Sequence, residues 1–323
     1  MNMPVSEMQP TPPMPHKPGW PLGLFSGICA TILLSARPGL WFGFDSYGAD
    51  IALAIVGGII LWTHFRLLHR LNFKLQTTII WAELLALFAT FFLSFDLSFE
   101  FIGSRIPYLL GLQLQGDFIQ GAVLTLFISL ISIFCATLLA LFAALGRLSK
   151  SGVFFGLSTF YTSFFRGTPL LLQVMLIYLG LPQIGIVLSA VPAGIIALSL
   201  CYGAYMAEIF RAGIESVPEG QTEAALSLGL KPWQVMRLVV LPQALRLVIP
   251  PTGNQFISML KDSSLVSIMG VWELMYLART HGRSEFKYME MLISAAIIYW
   301  AMSGIFEYIQ SRIEKKLGKG VRV

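Results

Sequence analysis

The chain has 323 residues, of which 56% are hydrophobic and only 12% charged, with a formal net charge of +5. Soluble domains carry about 25% charged residues, so a water-soluble globular fold is excluded. Several apolar runs reach the roughly 20 residues that a helix needs to cross hydrocarbon, and the ten-residue alternation of a membrane β-barrel is absent. The expected fold is therefore all-α, a polytopic transmembrane helical bundle. Basic residues fall in short clusters between apolar runs, a pattern that follows the positive-inside rule and gives no sign of nucleic-acid binding.

Residues 1–20 hold six prolines and one lysine. They lack the basic and apolar regions of a signal peptide and are read as a disordered cytoplasmic tail. A membrane extension of about three spans is expected over 21–110, with apolar runs near 22–36, 49–65 and 78–95. The cluster from Arg66 to Lys74 faces the cytoplasm, which puts the segment 96–116 outside. Glu83 is a lone acid in the third run, with no partner evident.

Five further spans are expected within 111–315, near 118–146, 160–181, 190–212, 243–270 and 289–309. Arg147 to Lys150, the segment 213–242 and the basic stretch from Arg312 onward are all inside. The map closes with eight spans and both termini cytoplasmic. Its weak point is 273–288, which leaves Arg279, Arg283 and Lys287 outside. Cys29, Cys135 and Cys201 lie far apart in apolar segments and read as buried thiols with neither metal nor disulfide. His16, His64, His69 and His281 have no carboxylate at metal-ligand spacing.

The polar segment 213–242 interrupts the membrane pattern. Ser216 with Pro218 after it reads as an N-cap with proline in the first turn, and Glu219 and Glu223 favour a helix start. Gly229 is placed to end that helix in the left-handed conformation. Pro232 opens a second short helix, which Pro242 terminates. Ala224, Ala225 and Leu228 form a small-residue face that admits close approach by another surface. Physics alone leaves two readings open: a loop lying on lipid headgroups beside Trp233, or a docking helix pair.

Here the chain resembles a known family. Glu223-Ala224-Ala225, Gly229 and Leu241-Pro242 are similar to the EAA loop in membrane subunits of ABC importers, polar amino acid branch. Supporting segments are Thr125-Leu126, Arg166-Gly167-Thr168-Pro169-Leu170-Leu171-x-Gln173, Ala204-Tyr205-x-x-Glu208-x-x-Arg211, Gly220-Gln221, Leu241-Pro242-Gln243-Ala244 and Lys261-Asp262-Ser263-Ser264-Leu265. They run in family order over about 115–275. Val239 and Ser263 depart from the usual isoleucine and threonine.

The resemblance implies a type I ABC importer-like five-helix core. In it Gln221, Glu223, Ala224, Ala225, Gly229, Leu241 and Pro242 form a coupling surface for a separate ATP-binding subunit. It also implies a second permease, identical or paralogous, a periplasmic amino-acid-binding protein, and a place in the bacterial inner membrane. No phosphate-binding Gly-x-x-x-x-Gly-Lys-Ser/Thr loop occurs in the sequence. The expectation is a transport subunit that is not an enzyme and binds no cofactor, with ATP and magnesium on the partner.

The remaining polar residues admit more than one role. Glu208 and Arg211, at i and i+3, can pair on one helix face or line a solute path. Lys261 and Asp262 are costly inside a span and point about 100° apart, so each needs its own partner. Pro250-Pro251 and Gly253 are expected to break their span, either as a packing kink or to bring Asn254 and Gln255 to a polar solute. Arg166 opens a span at the cytoplasmic surface, as a topology anchor rather than a substrate ligand. A rival reading, an ion-gradient-driven secondary transporter of a small polar solute, needs no docking loop and often shows repeated halves, which are not evident.

Overall fold

The computed structural model describes residues 47–95, 97–112 and 118–317. The expected tail 1–20 and the apolar run at 22–36 lie outside these. The chain divides into two compact units, residues 1–96 and 97–323.

In the first unit α1 (Tyr47–Leu68) and α2 (Phe73–Leu93) form a helical hairpin. Asn72 closes its turn as an N-cap, its side-chain oxygen accepting from the Leu75 amide at 2.9 Å. Such a cap satisfies one of the free amides of a helix start. Glu83 does have a partner: His64 Nε2 lies 3.1 Å from its carboxylate. The pairing joins residues 19 apart in sequence, which no pattern within one helix reveals.

The second unit opens with α3 (Phe99–Leu110) and α4 (Gly121–Arg147), followed by α5 (Gly152–Gly167). Next comes α6 (Leu170–Met175), extended to Ile184 by a wide π turn and a 3₁₀ turn, and then α7 (Ala190–Glu215). The polar segment holds α8 (Glu219–Ser227) and α9 (Pro232–Val235). The long α10 (Leu241–Asp262), α11 (Leu274–Ser284) and α12 (Tyr288–Leu317) complete it. Among the described residues five helical segments are long and apolar enough to span a membrane, or six if α5 and α6 count as one broken span.

The core forms where α4 meets α7. The buried positions of α4 include Ser129, Ser132, Ala136, Ala140 and Ala143, and those of α7 include Ala193, Ala197, Cys201 and Ala204. Small residues about one turn apart let helix backbones approach closely, which replaces the hydrophobic drive that lipid removes. Gly203 lies at a close approach, since a Cβ there would lie 2.6 Å from Tyr161 Oη and 3.0 Å from Leu139 Cβ. A second cluster joins α3, α11 and α12 through Leu109, Leu274, Leu277 and Met291.

Three expected boundaries differ. The span placed at 160–181 is two helices, α5 and α6, bent by 107° at Thr168-Pro169. Pro169 cannot continue the α5 hydrogen-bond ladder. Gln173 compensates by donating Nε2 to Phe165 O at 2.8 Å, Thr168 O at 3.0 Å and Thr168 Oγ1 at 2.8 Å.

Pro250-Pro251 and Gly253 do not break their span, because α10 runs through all three. Gln310 of α12 braces that stretch, donating to Pro250 O at 3.0 Å. Gly253 makes room for it, since a Cβ there would lie 2.8 Å from Gln310 Cδ. Proline inside a span is tolerated where neighbouring groups take up the freed backbone.

Pro242 terminates nothing either. A π turn over Met236–Val240 connects α9 to α10, so the path is helical from Pro232 to Met269. The widened turn gives the proline ring the clearance that a tight α-helical turn denies.

Candidate functional site

The polar segment folds on itself. Val217, Ala225, Val235, Val240 and Ala244 form a small buried cluster, with Ile214, Leu230 and Val239 packed against it. Gly229 takes φ 82°, and α8 ends in a two-bond left-handed cap. The Gly229 amide donates to Leu226 O at 2.9 Å and the Leu230 amide to Ala225 O at 3.2 Å. Contact between Leu230 and Ala225 completes this Schellman arrangement.

Pro232 opens α9 at its first position, and the Lys231 amide donates to the Gln234 side chain at 2.8 Å. Ser216 is not an N-cap. Pro218 holds that position, while the Ser216 hydroxyl turns back to donate to Gly213 O at 2.8 Å. The proline supplies the extended backbone that the cap needs, so no side-chain oxygen is called on.

The expected small-residue face is also redrawn. Ala225 points into the cluster at 4% exposure and is absent from the outer face. Gln221, Glu223, Ala224 and Gly229 are exposed, with Leu228 at 83% and Leu226 beside them. Leu241 is half-buried and Pro242 exposed, both at the start of α10.

Where α7 approaches this loop, three arginines converge on one carboxylate. Glu208 accepts from Arg147 Nη1 at 2.7 Å and from Arg211 Nη2 at 2.9 Å, and Arg166 Nη1 lies 3.4 Å away. Arg211 also pairs with Glu215 at 2.6 Å. The expected Glu208–Arg211 pair is present, but the cluster joins α4, α5 and α7 as well. Arg166 does not open a span: it sits in the last turn of α5, at the bend, and its guanidinium stacks 5.6 Å over the Tyr205 ring. Arg147 was not singled out by sequence. Its basic position at a helix end signalled topology, and the partner lies 61 residues away.

Tyr205 leads from the arginines to a cleft of about 280 Å³. Thr168, Pro169 and Leu170 from the bend line one side, Cys201, Tyr202 and Tyr205 from α7 another, and Gln255 and Asp262 from α10 the third. Tyr202 Oη donates to Asp262 Oδ2 at 2.7 Å. Of the polar residues of α10 singled out as pathway or structural candidates, Gln255 and Asp262 are in this cleft. Asn254 and Lys261 are not: Asn254 accepts from Gln310 at 2.9 Å, turned toward α12. Lys261 is exposed and makes no ion pair among the described residues.

Glu273 also escaped the sequence reading. It is fully buried, and its carboxylate accepts from the Met275 amide at 2.9 Å, the Tyr276 amide at 2.7 Å and Tyr299 Oη at 2.7 Å. A short polar stop before an amphipathic helix was the available signal for such a cap.

The family described as the binding-protein-dependent transport system inner membrane component matches residues 136–319. Relatives in Bacillus subtilis include the probable amino-acid ABC transporter permease YckA, 45% identical over 61% of this chain and 88% of that protein. The arginine transport system permease ArtQ is 36% identical over 69% of this chain and 98% of its own length. Among solved structures, one titled as an amino acid ABC transporter with histidines aligns at a TM-score of 0.57. It is 40% identical and covers 59% of this chain and 90% of that one. The secondary-transporter reading falls with these matches. The chain belongs to the family of inner membrane components of binding-protein-dependent transport systems, as a multi-pass permease subunit of an ABC transporter.

Proposed function

We propose that this permease carries a polar amino acid inward across the bacterial inner membrane. It is driven by ATP hydrolysed on a separate subunit that docks on the segment 213–242. The observation that carries the reading is the build of that segment. A private apolar cluster and a Schellman cap hold α8 rigid, while Glu223, Ala224 and Leu228 are left uncovered. A loop resting on headgroups needs no core of its own.

The same cluster explains how work reaches the solute. It ties Ile214 and Val217, at the end of α7, to Ala244 of α10. Gly213 packs so closely on α10 that a Cβ there would lie 2.2 Å from Val248 Cγ1. A push on α8 therefore moves α7 and α10, the two helices whose Tyr202 and Asp262 meet across the cleft. Closing or parting that pair changes the shape of a space suited to one small solute. Asp262 is the formal charge on its wall and favours an ammonium or other cationic group.

Relatives named for arginine and cystine transport support an amino acid as cargo. The chain itself performs no covalent chemistry and binds no cofactor; ATP and magnesium belong to the docked subunit. A second permease, a periplasmic amino-acid-binding protein and lipid complete the assembly, with both termini cytoplasmic.

Leu228→Asp tests this reading. The variant should insert and remain monodisperse in detergent, while capture of the ATPase subunit and ATP-dependent uptake both fall to background. Full uptake by Leu228→Asp would sink the docking assignment.

A further inference from the structure

The last turns of α11 and the loop to α12 carry groups that find no partner among the described residues. On α11, Leu274, Leu277, Ala278 and Gly282 are buried, while Arg279 and Arg283 are exposed. Spaced i, i+4, the two guanidinium groups share one face. The other charges nearby are satisfied: Arg105 pairs with Glu285 at 3.4 Å and Lys287 with Glu290 at 3.3 Å. Arg279 and Arg283 have neither an ion pair nor a side-chain hydrogen bond among the described residues. His281 adds no charge at neutral pH, because burial and then the neighbouring Arg105 hold its pKa below the ordinary imidazole value.

Phe286 follows at 91% exposure with φ 55°, a left-handed backbone that is unfavourable for a bulky residue. The turn is held in this form by the Lys287 amide donating to Gly282 O at 2.9 Å. Strain is thus spent on presenting a ring that the described residues leave almost uncovered. Free arginines beside a presented aromatic are the composition of interface anchors.

The position narrows the partner. In the orientation of the proposed function, on which this inference rests, the loop 213–242 is cytoplasmic. The far end of α10, and with it the α11–α12 turn, then faces outward. Positive residues there oppose the positive-inside rule, so they do not act as a topology signal. The family is defined by dependence on a soluble binding protein. We propose that Arg279, Arg283 and Phe286 form the surface on which that protein docks, meeting an acidic patch that flanks an apolar pocket.

The test uses the full permease with its ATPase subunit in nanodiscs. The probe is the solute-binding protein that stimulates ATP hydrolysis by the wild-type complex. For Arg279→Glu/Arg283→Glu, and separately for Phe286→Ser, affinity for that protein should fall roughly tenfold or more, with unstimulated hydrolysis unchanged. Arg279→Lys/Arg283→Lys should recover most of the affinity, which excludes misfolding as the cause. Wild-type affinity in both the double charge reversal and Phe286→Ser overturns the docking surface alone. Complexes whose binding-protein affinity holds but whose binding to phosphatidylglycerol vesicles is lost assign the arginines to lipid and likewise overturn it. If no binding protein stimulates the wild-type complex, the importer reading fails and takes this inference with it.

Discussion

Helices α2 and α7 are equally apolar, yet no residue of the α2 window is buried within the chain, against 61% of the α7 window. Composition explains the contrast. On α2 the apolar residues are large, with Trp81, Leu84, Leu87 and Phe91 exposed, whereas α7 buries Ala193, Gly194, Ala197, Gly203 and Ala204. In lipid, apolarity secures insertion, and close packing requires small side chains at helical spacing. Helix α2 is thus built to be inserted and α7 to be packed. Polar groups follow the same division. Among the described residues the hairpin holds the His64–Glu83 pair, while the core uses Glu208 to gather three arginines from three helices.

The largest effect that would break this contrast is expected at Gly203. Gly203→Leu forces a side chain into the space of Tyr161 and Leu139, and overpacking costs about 1–3 kcal/mol or more. The permease should lose its monodisperse peak in detergent chromatography, whereas Ala82→Leu on α2 should leave it intact. Equal behaviour of the two would mean that α7 is no more tightly packed than the hairpin.

A smaller loss is expected from Glu208→Gln, which leaves Arg147 and Arg166 without their carboxylate. Hydrogen bonds to charged groups contribute about 1.5–3 kcal/mol, so the thermal transition of the purified permease should drop clearly. Glu208→Asp should restore part of it. An unchanged transition in Glu208→Gln would show that the cluster holds nothing together.

Smallest of all should be Glu83→Gln. An exposed ion pair contributes about 0–1 kcal/mol, and this one lies wholly within the hairpin. Uptake and the thermal transition should both match wild type. A loss of uptake would give the hairpin a part in transport and erase the division drawn above.

Much of the loop was legible in the sequence because its signals are local. Gly229 and Pro232 act through their own backbone preferences, and the structure places a left-handed cap and a helix start at those residues. Ser216, Pro242 and Pro250-Pro251 misled for the opposite reason. Each has a local tendency that its surroundings cancel: Pro218 takes over the cap, the π turn clears Pro242, and Gln310 braces Pro250. Glu208 was recognised with only one of its three arginines, the one on its own helix face.

By itself the sequence determined the membrane class, the left-handed cap at Gly229 and the helix start at Pro232. These depend on apolar run length and on backbone preferences that hold wherever the residue sits. Only the tertiary structure decided that Ala225 faces inward, that Asp262 meets Tyr202 and that Arg147 reaches Glu208. The last two contacts join residues 60 and 61 positions apart. Such pairings are set by how helices cross, and helix crossing is fixed by packing of whole faces, which no local pattern encodes.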